Sequence, residues 1–149
     1  KSSSCYNIKS MEKHSIYIPP DIYPVKNFMF LGYKNADKEK IYNTLSKLIK
    51  TNTALLEIIR KIDEVNLDAD QGQVMSIGSV NVLTMREYIK DDINSLCVLV
   101  HELNHMSCNI GRYIGINHSE DSEEFFTYMQ DYLLGKVLKT IKDGKSNIK

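Results

Sequence analysis

Apolar residues recur with a helical period at Ile41, Leu45, Leu48, Ile49, Leu55, Ile58, Ile59 and Ile62. That spacing predicts one helix that opens at Asp37 and runs to about Glu64. Lys26 to Tyr33 (KNFMFLGY) is too short and too aromatic for a helix and predicts a strand, ended by Gly32 and Asn35. Gln73 to Met85 alternates in polarity and predicts a strand or a bent pair of strands, with Gly78 as a bulge or point of close approach. Thr84, with Glu87 three residues later, reads as a capping box that opens a helix running to roughly Arg112, where Gly111 and Gly115 stop it. Ser122 caps a last helix through about Ile141. Residues 1–24 read as irregular, punctuated by Pro19, Pro20 and Pro24, with a short strand candidate at Ser15–Ile18. The sum is an α+β fold in one domain spanning 1–149: a small twisted sheet packed on the helix before Arg112, with two further long helices.

Composition changes this picture little. The chain has 149 residues, 42% hydrophobic and 26% charged, with formal net charge zero. A domain of that size buries a real core. Neutrality removes the electrostatic footprint expected of a nucleic-acid binder or of a protein held on an anionic membrane. No apolar run approaches the roughly 18 residues of a membrane-spanning helix, and the polar, serine-rich start lacks the apolar core of a signal peptide. The three cysteines, Cys5, Cys97 and Cys108, are odd in number and show no paired spacing, so a disulfide framework is not expected. Cys97 and Cys108 read as small buried thiols on the helix before Arg112, although Cys108, three residues after His105, is within reach of a metal there.

The candidate chemistry lies on that helix, at His101-Glu102-Leu103-Asn104-His105. Histidines four residues apart share one helix face, so both imidazoles can reach a single Zn²⁺ at roughly 2.0–2.1 Å. Glu102 stands on a neighbouring edge of that face, placed to act as general base on a metal-bound water. Between Val98 and Ile110 the only charged side chain is Glu102. The uncharged run predicts a buried helix, and a buried His-Glu-His cluster requires a partner, for which a metal is the simplest choice.

A catalytic zinc takes three protein ligands and keeps a position for water. The extended pattern with a third histidine six residues on fails, because Cys108 and Gly111 occupy its glycine and histidine positions. The candidates are His118, Glu120, Asp121, Glu123 and Glu124. His118 lies in a loop that can bend back, though an exposed loop histidine is the plainer reading. Helix polarity alone accounts for Glu120, Asp121 and Glu123 at a helix N-terminus. Glu124, Tyr128 and Asp131 fall on one helical stripe, which predicts that Glu124 projects inward as third ligand and Glu123 outward. Tyr128, one turn on, is then the candidate donor to a developing oxyanion, ahead of His118 or Tyr113.

Val-Leu-Val-His-Glu-Leu-Asn-His (98–105), a glycine-containing loop, and Glu-Glu-Phe-Phe-Thr-Tyr-Met-Gln-Asp-Tyr-Leu (123–133) resemble the small HExxH metallopeptidase-like proteins of tailed bacteriophages. Ile22-Tyr23-Pro24 and the strand ending at Leu31-Gly32 resemble the same family more loosely, and Thr127 departs from the small residue usual there. The resemblance implies a zincin-like fold, one Zn²⁺ on His101, His105 and Glu124 in the gluzincin manner, Glu102 as base, and location in the host cytoplasm or the virion. It implies zinc-dependent hydrolysis of peptide bonds, with a peptide or protein substrate docking by strand addition at Val74 to Leu83. Two other classes stay open: a virion or assembly protein that keeps the fold without proteolysis, and a host-targeting toxin or anti-defence protein.

Overall fold

The computed structural model describes residues 11–144 and Ile148. Cys5 and the polar N-terminal start lie outside them. The first two strands, β1 (His14–Ile18) and β2 (Lys26–Leu31), pair antiparallel, with Ile16 opposite Met29. A 3₁₀ turn at Asn35–Asp37 leads into helices α1 (Lys38–Leu48) and α2 (Asn52–Glu64). The hairpin β3 (Gly72–Ile77) and β4 (Val80–Met85) follows, then the long helices α3 (Ile93–Ile114) and α4 (Glu123–Lys142). The sheet order is β1-β2-β4-β3, with β2 and β4 parallel and β3 antiparallel to β4.

The fold is α+β, with helices on both faces of the sheet rather than on one. Successive side chains of a strand point to opposite faces, and both faces of the central strands are apolar here. Met29, Leu31, Leu83 and Met85 pack with Leu99, Leu103, Met106 and Ile110 of α3 and with Met129, Leu133 and Val137 of α4. Phe28, Phe30, Val80 and Val82 pack on the other side with Ile41, Leu45, Ile58 and Ile62 of α1 and α2. No described helix is long and apolar enough to cross a membrane.

Three expected boundaries are corrected. The helix expected from Asp37 to Glu64 is two helices, broken where Ile49 and Thr51 take extended backbone. Thr84 does not open a helix: it is buried in β4, opposite Phe30 and Gln73, and α3 starts at Ile93, where the Asp92 side chain accepts from the Ser95 amide. Gly111 lies inside α3, and the stop is Gly115, left-handed at φ 86°. Gly78 is the turn of the β3–β4 hairpin rather than a bulge.

Gly111 fixes how α4 sits on α3. A Cβ there would stand 2.5 and 2.7 Å from the ring edge of Phe126, which is buried. Gly111→Ala gains roughly 1 kcal/mol of helix propensity but meets an overpacking cost of about 1–3 kcal/mol. The variant is expected to melt at a lower temperature than the wild type in a calorimetric scan; an unchanged or raised Tm would show that the ring yields freely.

Candidate active site

His101 and His105 project from the outer face of α3, with their Nε2 atoms 3.2 Å apart and the ring planes at 76°. The packing of Leu99, Leu103, Met106 and Ile110 against the sheet forces this orientation, because those residues occupy the opposite side of the helix. Both histidines are exposed, which corrects the expectation of a wholly buried cluster. Their neighbours on the outer face, Asn104, Cys108 and Asn109, are polar without being charged, so a lack of charge did not mean burial. The two cysteines on α3 are corrected likewise: Cys97 is exposed and Cys108 half-buried.

Glu102 is the buried member of the motif, at 7% exposure. A Cβ at Gly72, the first residue of β3, would lie 2.8 Å from Glu102 Cγ and 3.1 Å from Val98 Cγ1. The carboxylate stem is thus held between α3 and the edge strand of the sheet. Burial pushes the Glu102 carboxyl above the usual carboxylate range; His101 and His105 pull it back down, and Asp70 adds a smaller upward push. Among the described residues Glu102 accepts no hydrogen bond, so its oxygens are uncommitted.

The spacing of the two imidazoles matches that of two ligands on one zinc ion. Two nitrogens each roughly 2.0–2.1 Å from a tetrahedral zinc stand about 3.3–3.4 Å from one another. The observed 3.2 Å between imidazole nitrogens on adjacent turns is close to that separation. Two clefts touch α3 outside the pair itself. One, of about 380 Å³, runs beside Val98 and Gln71 and is lined further by Arg86, Glu87 and Asp92. The other, of about 430 Å³, lies towards α4 and is lined by Asn104, His118, Glu123, Thr127 and Gln130.

Comparison with protein-family models, curated proteins and solved structures finds no match to this chain.

The remaining expected residues are not gathered at the histidine pair. Glu124 is exposed, and among the described residues no three His, Cys, Asp or Glu side chains stand close enough together to hold a metal. Phe126, Met129, Leu133, Val137 and Ile141 take the core side of α4, so Glu124, Tyr128 and Asp131 fall on its solvent side. Tyr128 is 67% exposed and makes no hydrogen bond or ring contact among the described residues. Glu123, expected to point outward, lines the cleft beside Asn104. Glu120 and Asp121 are exposed in a 3₁₀ turn before α4, and Tyr113 is half exposed.

Two features were missed by the sequence reading. One is Gly72, whose only signal was a glycine at the mouth of a strand. The other is the contact of His118 with Cys108, 3.1 Å between Nε2 and Sγ, which joins residues ten apart across the α3 C-terminus. Adding a side chain at Gly72 tests whether the position of Glu102 matters: if the site hydrolyses peptides on zinc, Gly72→Ala is expected to displace the carboxylate and reduce hydrolysis by at least about tenfold, with bound zinc unchanged. Equal activity in wild type and variant, measured on one peptide substrate, would show that Gly72 does not position the base.

Proposed function

We propose that this protein is a zinc-dependent metallopeptidase with a zincin-like domain. The observation that carries the reading is the joint placement of three groups on α3. His101 and His105 present two imidazole nitrogens to one point, and Glu102 is buried beside them against the first residue of an edge strand. Bound there, zinc would supply a Lewis acid that lowers the pKa of water towards about 7 and polarises a carbonyl.

The chain's own groups do the rest. Glu102 removes a proton from the attacking water and delivers it to the departing amine, a task suited to a carboxylate whose affinity for protons burial has raised. His101 and His105 would hold the ion. The outer edge of β3, unpaired among the described strands, lies next to Glu102 and offers backbone groups for an extended peptide to pair with; β4, the other half of the expected docking segment, is interior and paired on both sides. The resemblance to small phage HExxH proteins supports the same reading, and makes virion and host proteins the substrates to screen first.

The test is metal analysis of the purified chain together with a screen of peptide and protein substrates, with and without a chelator. One zinc per chain and chelator-sensitive cleavage are expected. Zinc without cleavage of any substrate would instead favour a structural protein that has kept the fold.

A further inference from the structure

Cys108 and His118 form a thiol–imidazole pair that the proposed hydrolysis does not use. The Cys108 Sγ lies 3.1 Å from His118 Nε2. Packing fixes the imidazole. Its ring stacks on Phe126 at 3.6 Å between centroids and 14° between planes, and Phe126 is buried against Gly111. The loop is pinned on either side of it: the Ile116 amide donates to the Gly111 carbonyl at 2.8 Å, and the Ser122 hydroxyl donates to the Asn117 carbonyl. His118 also lines a cleft of about 430 Å³ with Thr127, Gln130 and Asn104, which stands one turn before Cys108 on α3. The thiol itself is half-buried rather than enclosed.

We infer that Cys108 is a nucleophilic thiol, served by His118 as base, whose substrates are small disulfides. A nucleophile within hydrogen-bond reach of a base, with the base oriented by a third group, is the arrangement that activates a weak nucleophile. Reactive thiols also sit in partly exposed, electropositive surroundings. Around this pair Arg112 stands one turn on along α3, its guanidinium donating to the Asn109 side chain, and His105 stands one turn back. Against them stand Glu123, which lines the same cleft as His118, and the exposed Glu120 and Asp121 of the turn before α4. In the exchange, His118 Nε2 accepts the thiol proton and the thiolate attacks one sulfur of the disulfide. The bond from Cys108 to that sulfur forms as the original sulfur–sulfur bond breaks. The departing thiolate takes the proton from His118 and leaves as a thiol. Cys108 is oxidised, the departing sulfur is reduced, and the disulfide is the oxidant. No metal enters this step, so it stands or falls apart from the metallopeptidase reading.

Cys97 is the internal control. It lies 11 residues away on α3, about 20° from Cys108 in rotation about the helix. It is more exposed than Cys108 and makes no hydrogen bond among the described residues. The full chain is treated with 2-hydroxyethyl disulfide, with a chelator present to keep metal off His101 and His105. Mass spectrometry of peptides then gives the rate of mixed-disulfide formation at each cysteine. At pH 7 Cys108 is expected to react about tenfold faster than Cys97. An ordinary thiol is only a few per cent thiolate at that pH, which leaves room for a gain of that size. At about pH 10 thiols ionise unaided, and the advantage should vanish.

His118→Phe keeps a ring to stack on Phe126 but removes the base, and His118→Ala removes the base while uncovering the thiol. Both should bring Cys108 at pH 7 down to the rate of Cys97 in the same molecule. Slowing of His118→Phe at both pH values would be shielding by the new ring, and His118→Ala then decides. The inference is overturned if wild-type Cys108 reacts no faster than Cys97 at pH 7. It is equally overturned if the advantage survives in His118→Ala, or if it persists undiminished at pH 10.

Discussion

Glu102→Gln is expected to keep zinc and to lower peptide hydrolysis by about 10²–10⁴-fold, the usual contribution of a general base. Glutamine is nearly isosteric with glutamate, so the close packing against Gly72 and Val98 survives, but it cannot take a proton from water. Turnover at the wild-type rate would rule out Glu102 as the base. The same substitution has a consequence for the metal-free protein that activity does not report. Burial raises the Glu102 pKa in the folded chain above its unfolded value. A group raised in this way contributes stability that is fully present below the unfolded pKa and is lost as pH rises through the folded pKa. Wild type should therefore lose ground to Glu102→Gln as pH rises from acid to neutral. Melting temperatures of the two metal-free proteins, close at low pH, are expected to separate with the variant higher. The opposite order at neutral pH would mean that the charged carboxylate is favoured in the fold.

His105→Ala is expected to reduce zinc content to near zero. It should also remove the thermal stabilisation that added zinc gives the wild type. Binding to the folded state alone stabilises by about 2.7 kcal/mol at a free ligand concentration 100 times Kd. Because His105 is exposed and lies outside the core, its removal should cost the metal-free protein little. Melting curves with and without zinc separate the two effects: a zinc-dependent rise in wild type, none in the variant, and similar metal-free curves. Full zinc occupancy in His105→Ala would refute the histidine pair as ligands.

The candidate site was legible in the sequence where local geometry decides it. A four-residue spacing on a helix brings His101 and His105 together in any fold that keeps the helix, and the structure gives 3.2 Å between their nitrogens. The rotation of α4 was not legible. Phe125 and Phe126 are adjacent aromatics, and either could have marked the core side. Phe126 packs on Gly111 and under His118, while Phe125 meets Tyr23 edge-on at 5.4 Å. That choice turns Glu124 and Tyr128 to solvent and Glu123 to the cleft, the reverse of the order expected from the stripe alone.

By itself the sequence determined the α+β class, the strands β1 and β2, the strand character on either side of Gly78 and the helical register of the motif, because each follows from side-chain periodicity within a few residues. Tertiary structure decided the rest. An unbroken helix from Asp37 to Glu64 would be roughly 40 Å long, against about 20 Å for a six-residue strand. The apolar stripe can lie on the sheet only if the chain breaks at Ile49–Thr51 and turns back. Thr84 has local helix-capping chemistry, but pairing with two neighbouring strands outweighs one cap. Glu102 became a buried carboxylate, and His118 a neighbour of Cys108, through contacts with Gly72 and Phe126. Those partners lie 30 and 8 residues away in the chain, and no local pattern encodes which of them a side chain will meet.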